Sequence, residues 1–334
     1  MSDRALFWRW TRLDASRTGL WAACLFGLTF VLACQSTPPV DEEGSQSAAV
    51  VSPDEEQPEL PFPESVAKWR EEREARLLAD DGWLTVDGLY WLKEGENRFG
   101  GASDNDIVLP EENTPDYAGV FTYADGKVSV KMNGGIVAEF QDAPLGGELT
   151  PLEIGEKHAI SLGDLSFWVH FSGERKCIRL RNPNSELRKN FEGLDWYPIE
   201  DKYRVSATLV PYDEPRTVKV PNVFGDLETY TSPGELAFTL DGEAHSLQAF
   251  ETSRGFFLVI SDATSGKTTY PSARFVGTAK PVDGEVELDF NKAYNPPCAL
   301  NPHTTCPLPP PENRMKIALN AGEKYSGHHD TTDE

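Results

Sequence analysis

Apolar and polar residues alternate with a period of two over most of the chain after residue 80. Short runs such as "KVSVKM", "LSFWVHF" and "KCIRLR" show this alternation. Turn-forming groups such as "ADGK", "NGG" and "FSGER" separate the runs every eight to twelve residues. This spacing is typical of an all-β sandwich or barrel. We therefore expect residues up to 189 to form a β-sandwich.

A second block of strand-like runs begins near residue 190. Its runs are "YRVSATLV", "RTVKV", "GELAFTL", "HSLQAF", "GFFLVI", "RFVGTA" and "GEVELDF", which predict about seven strands. Asp241-Gly242 and Asp283-Gly284 are pairs that favour hairpin turns. We expect a second antiparallel, barrel-like β-domain over residues 190–325. It includes a proline-rich strap, "NPPCALNPHTTCPLPPPENR" (295–314), after which "MKIALNAGE" predicts a return to strand.

One segment has helical periodicity. In "ESVAKWREEREARLLAD" (64–80), Val66, Trp69, Arg73 and Leu77 fall on one face of a helix. No later segment of useful length shows this period. The pattern therefore predicts a mainly β protein, with one N-terminal helix and a sandwich over 64–189 followed by the barrel-like sheet.

The N-terminus has the features of an export signal. Four arginines precede fifteen uncharged, mostly apolar residues (19–33), which is too short for a bilayer-spanning helix of about 20 residues. The segment ends in Val31-Leu32-Ala33-Cys34, which resembles the bacterial lipobox. The resemblance implies that residues 1–33 are removed and that Cys34 is lipidated. An uncleaved anchor or an ordinary signal peptide are the alternatives. Gln35, in place of Asp, favours the outer membrane, facing the periplasm.

Residues 34–63 are rich in Pro, Ser and acidic side chains and contain no aromatic residue before Phe62. Such a composition cannot bury enough apolar surface to offset the entropy of ordering. We expect a disordered tether, and a disordered tail over 326–334. The lipid at Cys34 would then attach the protein to the membrane, which is the first partner we expect.

The charge balance argues against one class of partner. The chain has 31 Lys and Arg against 54 Asp and Glu, a formal net charge of −23. Nucleic-acid binding needs a basic surface, and adhesion to anionic lipid needs a cluster of cations. We therefore expect no nucleic-acid partner, and membrane attachment through lipidation alone.

The segment "GENRFGGASDNDIVLPEENTPDYAGVF" (95–121) resembles the start of a forkhead-associated β-sandwich. Asn105-Asp106-Ile107 matches that pattern. Phe99-Gly100-Gly101 lacks the arginine that grips phosphate, and Thr114 and Tyr117 stand where Ser and His are expected. Without the arginine a charge-assisted phosphate contact is missing. The resemblance thus implies a sandwich without phosphopeptide binding.

A longer resemblance covers residues 64–325. The segments "DGWLTVDGLYWLKEGENRFG", "GELAFTLDG", "SDATSGKTTY" and "LDFNKAYNPPCALNPHTTCPLPPPENR" together are similar to the family called domain of unknown function 1684. The family has no established activity, so the resemblance implies no catalytic role. The chain departs from the family pattern at Pro271-Ser272-Ala273, where a glycine is expected before Arg274-Phe275.

Common catalytic signatures are missing from the sequence. It contains no G-x-S-x-G, H-E-x-x-H, G-x-x-x-x-G-K-[ST] or G-x-G-x-x-G motif. His158 and His170 lie in strand-like runs, where a structural role is the default. We predict no cofactor and no metal.

Three cysteines remain after the signal segment and Cys34 are set aside: Cys177, Cys298 and Cys306. An exported protein is in an oxidising compartment, so the close pair Cys298/Cys306 is most simply a disulfide. Free or differently paired thiols, or a zinc site completed by His303, are the alternatives. Cys177 is the odd cysteine and is expected to be a partly buried thiol.

A polar cluster around the strap is the best candidate for a ligand site. Arginine with Asn, Asp, Thr and Tyr can bind a carboxylate, a phosphate or a sugar. The alternative is a buried hydrogen-bond network that holds the strap. The candidate residues are Asp262, Thr264, Thr269, Tyr270, Arg274, Asn291, Tyr294, Asn313 and Arg314.

Two functions from different classes follow. The first is an envelope-anchored lipoprotein that binds a small polar ligand or an envelope partner through its C-terminal β-domain. The alternative is an enzyme of unassigned class, a hydrolase or a lyase, acting from the region of Asp262, Tyr270, Arg274 and Arg314. An enzyme requires a titratable group in a cleft, whereas a binding protein requires only convergent donors.

Overall fold

The structure, a computed structural model, describes residues 60–110, 114–325 and 327. The predicted signal peptide, the lipidation of Cys34, nearly all of the tether and nearly all of the tail lie outside these residues. Gln57–Glu334 form one compact unit. Within the described part of the chain, no helix is both long and apolar enough to cross a membrane.

The first β region is a sandwich of eleven strands in two sheets, as predicted. One sheet has the order β1-β11-β10-β9-β6-β7 and the other β3-β2-β4-β5-β8. All neighbours are antiparallel except β2 and β3, which pair in parallel. The strands are β1 (Val86–Trp91), β2 (Gly95–Gly100), β3 (Ile107–Val108), β4 (Gly119–Ala124), β5 (Lys127–Met132), β6 (Ala138–Phe140), β7 (Ala143–Leu145), β8 (Thr150–Leu152), β9 (Ile160–Leu162), β10 (Leu165–Ser172) and β11 (Arg175–Arg181).

Three phenylalanines join the two sheets at the centre of the sandwich. Phe99 and Phe121 stack at 4.5 Å between ring centroids, and Phe167 from the other sheet contacts Phe99 edge-on at 5.6 Å. Each is at most 1% exposed. Aromatic pairs at these distances add about 0.5–1.5 kcal/mol beyond the burial of their area. The alternating pattern therefore buries one face of each sheet against the other.

The segment that resembles a forkhead-associated domain is held by its own loop contacts. The Asn105 side-chain amide donates to the carbonyl oxygens of Ala102 and Asp116, each at 2.8 Å. The Asp106 carboxylate accepts from the Arg98 backbone N–H at 2.9 Å. These side chains therefore have structural roles in the loop between β2 and β4.

The second β region is a barrel-like sheet of six strands. Its order is β16-β15-β14-β13-β12-β17, and β16 contacts β17, so that the sheet nearly closes. Its interior is filled by apolar side chains such as Leu236, Phe238 and Phe290. The strands are β12 (Arg204–Pro221), β13 (Leu227–Leu240), β14 (Glu243–Glu251), β15 (Gly255–Ile260), β16 (Arg274–Ala279) and β17 (Glu285–Asp289).

The number of strands differs from the prediction of seven. The runs "YRVSATLV" and "RTVKV" belong to one 18-residue strand, β12. Its pairing with β13 is irregular between Pro211 and Arg216, because proline cannot donate to a neighbouring strand. The two predicted hairpin turns are confirmed. Asp241 and Gly242 have φ of 50° and 82°, and Asp283 and Gly284 have φ of 52° and 85°, as a type I′ turn requires.

The prediction of a strand in "MKIALNAGE" is wrong. The segment instead passes beside residues that follow β15. The Met315 N–H donates to the Ser261 carbonyl at 2.8 Å, and the Ala263 N–H donates to the Ile317 carbonyl at 2.9 Å. The chain turns at Asp262, where the Ser265 N–H bonds the Asp262 carbonyl. The segment therefore loses its partner before a regular strand can form.

The predicted helix is α1 (Glu64–Leu78), and the only other α-helix of the described residues is the four-residue α2 (Glu186–Lys189). α1 makes its polar contacts with the C-terminal region. Arg73 pairs with Glu323 at 2.8 Å and donates to the Asn295 carbonyl at 2.9 Å. Trp69 packs edge-on against Trp196 at 5.9 Å. The first and last segments of the folded body are therefore in direct contact.

Candidate functional site

Asp262 and Arg274, the central residues of the predicted site, form a buried ion pair. Asp262 follows β15, and Arg274 is the first residue of β16. The Arg274 Nη2 and Asp262 Oδ2 atoms are 2.7 Å apart, and the two side chains are 1% and 0% exposed. The pair has no open side from which a substrate could approach.

Other polar atoms of this pair bind neighbouring backbone, mainly after the strap, whereas Arg274 Nε has no partner among the described residues. Asp262 Oδ1 accepts from the Leu319 N–H at 3.2 Å and from the Thr264 N–H at 2.8 Å. Arg274 donates to the carbonyl oxygens of Leu319, at 3.0 Å, and Ala321. A buried charge is tolerated when such bonds surround it. The pair therefore holds residues 319–321 against the barrel.

The neighbouring predicted residues are also satisfied internally. The Thr264 hydroxyl bonds Asp262 Oδ1 at 2.7 Å and the Thr269 hydroxyl at 2.8 Å. The Tyr270 hydroxyl donates to the Cys298 carbonyl at 3.2 Å. Burial raises the pKa of Tyr270, so its hydroxyl stays protonated at neutral pH. These side chains fix the hairpin loop and its contact with the strap.

Asn291 and Tyr294 both lie against α1. The Asn291 amide accepts from the Glu200 N–H at 3.0 Å and donates to the Glu200 carbonyl at 2.9 Å. The Tyr294 ring contacts Phe275 edge-on at 5.7 Å, and the Arg73 guanidinium lies 4.5 Å from its centroid. Both residues connect the barrel to neighbouring segments.

Asn313 and Arg314 have different environments, although they are adjacent. The Asn313 amide is fully buried, accepting from the Gln248 N–H at 2.7 Å and donating to the Gln248 carbonyl at 3.0 Å. These two hydrogen bonds thus take the place of those that a neighbouring strand would make with β14. Arg314 is exposed, and its guanidinium donates to the Pro309 carbonyl at 3.3 Å. The Arg314 backbone is paired with Ser261, next to Asp262, but among the described residues no hydrogen bond or ion pair joins its guanidinium to Asp262.

The structure thus brings Asp262, Thr264, Thr269 and Arg274 together, with Tyr270 nearby. The Arg314 backbone passes beside Ser261, but its guanidinium binds the Pro309 carbonyl rather than these side chains. The contacts correspond to the buried network that the sequence leaves open as the alternative. The assignment of these residues to a ligand stays a prediction.

Cys298 and Cys306 are adjacent free thiols in the structure, and Cys177 is a third. The Cys298 N–H donates to Cys306 Sγ at 3.3 Å. A hydrogen bond between the two thiols lowers the pKa of Cys306 and raises that of Cys298. Among the described residues, no group of three or more His, Cys, Asp or Glu is arranged to hold a metal ion. The disulfide stays a prediction.

We expect mass spectrometry of unreduced peptides from the exported protein to show Cys298 linked to Cys306. The two residues are already in contact, and a protein exported to an oxidising compartment readily forms such a bond. Cys177 is the internal control. It is 0% exposed, and burial raises its pKa to about 12, so it should remain an unmodified thiol. Free thiols at both 298 and 306 would contradict the pairing.

A second polar group lies on the outer face of the sandwich, where the strap crosses β11. Arg175, Arg179 and Arg181 occupy alternate positions of β11, so they project from the same face. Arg175 binds the Asp226 carboxylate with Nε, at 3.0 Å, and with Nη2. Arg181 pairs with Glu156 and donates to the Thr85 hydroxyl at 2.8 Å. Two of the three arginines therefore have a carboxylate partner.

Arg179 lies between these two and is buried, with 4% exposure. Its Nη2 is 3.4 Å from the hydroxyl of Thr305 in the strap, and its Nε has no partner among the described residues. Its guanidinium is 5.6 Å from the Trp83 ring. No carboxylate of the described residues forms an ion pair with it. Burial lowers the pKa of Arg179.

Two histidines stand beside Arg179. His170 Nε2 is 3.1 Å from the Thr305 hydroxyl. Burial and the Arg179 charge lower the pKa of His170 to about 4. Burial also lowers the pKa of His303, while Asp87 raises it. Both imidazoles are therefore neutral at pH 7. The sequence does not reveal this group, because "KCIRLR" indicates only a strand and no local pattern predicts that the strap covers it.

Comparison with known proteins supports the C-terminal resemblance. Residues 189–324 match the family model described as protein of unknown function (DUF1684). One solved structure, by NMR in solution, of an uncharacterized protein from Haloarcula marismortui is 34% identical over 42% of this chain and 80% of that chain, with a TM-score of 0.36. A search of curated proteins gave no match.

Proposed function

In its C-terminal part, residues 189–324, the chain belongs to the DUF1684 family of proteins of unknown function, and from this premise we propose that it is an envelope-anchored binding lipoprotein. One observation carries the proposal. The side chains of the Asp262–Arg274 pair, the centre of the enzyme alternative, are at most 1% exposed and bind the backbone at Leu319. A catalytic group must meet its substrate in a cleft. The pair thus supports a structural role.

Contacts between the two β regions support a rigid binding platform. The Asn301 side chain in the strap donates to the carbonyl oxygens of Trp83, at 2.8 Å, and Val86, at 2.6 Å. The Asn222 side chain donates to the Ser172 hydroxyl at 2.6 Å. A rigid scaffold raises affinity because less conformational freedom is lost on binding. The partner of this platform is a small polar ligand or an envelope protein.

The proposed location rests on the N-terminal sequence. Residues 1–33 would be removed as a lipoprotein signal, and Cys34 would carry the lipid. The acidic tether then separates the folded body from the membrane. Gln35 favours the outer membrane, with the body facing the periplasm. The strap disulfide belongs to the same proposal because this compartment is oxidising.

We expect radiolabelled palmitate to enter the wild-type protein in bacterial cells and to be lost in Cys34→Ala. The lipid is attached to the thiol of Cys34, so no other residue can replace it. Cys24→Ala is the matched control, because Cys24 lies in the predicted signal and its loss should leave the label unchanged. Label retained in Cys34→Ala would contradict the anchor.

A second measurement, the stability of Arg274→Met against unfolding, distinguishes the structural role of the Asp262–Arg274 pair from the catalytic alternative.

A further inference from the structure

We propose that Arg179 is the centre of a binding site for the carboxylate group of a small ligand, at the face where the strap crosses the sandwich. The proposal rests on the proposed binding function, to which it adds a site and a ligand class. The site is formed by Arg179, Thr305 and His170, with Trp83 and His303 at its side.

Arg175 binds a carboxylate through an edge of its guanidinium that has almost no partner on Arg179. The Nε and Nη2 hydrogens of a guanidinium point in the same direction and match the two oxygens of a carboxylate. Arg175 uses this edge for both oxygens of Asp226. On Arg179 the same edge has no partner at Nε and only the 3.4 Å contact with Thr305 at Nη2. One carboxylate would satisfy both donors.

The surroundings of Arg179 do not neutralise its charge. A buried cation is costly unless an anion and hydrogen bonds compensate it. Glu228 acts on Arg179 electrostatically, but its oxygens accept from Asn222 at 3.1 Å and Tyr230 at 2.7 Å. It forms no ion pair with Arg179. The groups in hydrogen-bond or ring contact with the guanidinium, Thr305 and Trp83, are uncharged.

The two cysteine thiols near Arg179 are the remaining sources of negative charge. Burial keeps Cys177 protonated, with a pKa of about 12. The hydrogen bond from Cys298 lowers the pKa of Cys306, so a Cys306 thiolate would compete with an external anion. A disulfide between Cys298 and Cys306 removes that thiolate. The oxidised protein is therefore the form in which the site should bind its ligand.

The charge of the site selects the class of anion. Its guanidinium carries one positive charge and its two imidazoles are neutral, so the site balances a single negative charge. A carboxylate carries one charge, whereas a phosphate monoester carries nearly two at pH 7. Trp83 is 39% exposed, while the Thr305 hydroxyl is 3.4 Å from Nη2 of the guanidinium. Entry therefore passes beside Trp83 and requires Thr305 to give up its long contact, which limits the ligand to a small group.

The test uses the full chain, oxidised and purified in detergent, with sodium acetate as the probe. Melting is measured with sodium acetate, sodium phosphate and sodium chloride at equal ionic strength, for wild type, Arg179→Met and Arg175→Met. We expect acetate to raise the melting temperature of wild type and of Arg175→Met in a saturable way. In Arg179→Met, acetate affinity should fall about tenfold or more. Without acetate this variant should melt at or above wild type, because the uncompensated cation is gone.

Three results would overturn the proposal. Acetate that stabilises wild type no more than chloride shows that the site takes no carboxylate. An equal acetate effect in Arg179→Met shows that the anion binds elsewhere. Phosphate that stabilises through Arg179 where acetate does not would contradict the ligand class. Palmitate labelling does not depend on Arg179, so failure of this site and failure of the lipid anchor are distinguishable.

Discussion

Arg274→Met should lower the free energy of unfolding by about 3–5 kcal/mol, the usual cost of removing one partner of a buried ion pair. The substitution leaves Asp262 charged and 0% exposed at its side chain. It also removes the donors to the Leu319 and Ala321 carbonyls. Urea unfolding followed by circular dichroism measures the change.

Arg314→Met is the matched control for this result. Arg314 belongs to the same predicted set, but it is exposed, and within the described part of the chain its guanidinium donates only to the Pro309 carbonyl. Its loss should change stability by no more than about 0.5 kcal/mol. An Arg274→Met variant as stable as wild type, or more stable, would instead be the behaviour of an active-site residue, and it would favour the enzyme alternative.

A double substitution separates the interaction between Asp262 and Arg274 from the interactions of each residue with its surroundings. Asp262→Leu with Arg274→Met removes both charges and leaves apolar side chains of similar size. Replacing a whole buried pair in this way is often neutral or even stabilising by about 1–4 kcal/mol. We expect the double variant to be more stable than Arg274→Met alone. The difference gives the interaction energy of the two residues.

Arg73→Met should cost a similar amount, about 3–5 kcal/mol, because it leaves Glu323 buried without a cation. The Arg73 and Glu323 side chains are 10% and 1% exposed. Arg76→Met on the same helix is the control, since Arg76 is 60% exposed and pairs with Glu72 at 3.8 Å. Such an exposed pair contributes about 0–1 kcal/mol. Equal losses in the two variants would contradict a specific role for Arg73.

The cost of Arg73→Met should depend on pH. Burial raises the pKa of Glu323, and the Arg73 charge opposes this. Without Arg73 the folded-state pKa rises further. A carboxyl whose folded pKa lies above its unfolded pKa adds stability at low pH and loses it as pH rises through the folded value. The deficit of Arg73→Met should therefore be larger at pH 8 than at pH 5. A deficit that grows on acidification would contradict this assignment.

The β architecture was predictable because alternation is a local signal. Runs such as "KVSVKM" became β5, and the Asp-Gly pairs became type I′ turns. The merging of two runs into β12 was not predictable, because Pro211 and Pro215 interrupt the alternation within a single strand. The continuity of β12 depends on its long pairing with β13, which is a tertiary property.

The residues around the strap were found by sequence, but their role was not. The same residue types form a ligand site or a buried network, and only burial and partners distinguish the two. Asn313 illustrates this, because its amide binds the backbone of Gln248 rather than a ligand. Arg179 was missed for the opposite reason. Its strand was predicted, but the strap that covers it lies more than a hundred residues away, at Thr305.

The contact between α1 and the end of the chain also has a kinetic consequence. Arg73 and Glu323 are 250 residues apart in sequence. Contacts between such distant residues form late, since the intervening loop must close first, and they slow folding. During synthesis all eleven strands of the sandwich emerge before Glu323 does. We therefore expect the contact between α1 and the end of the chain to be among the last to form.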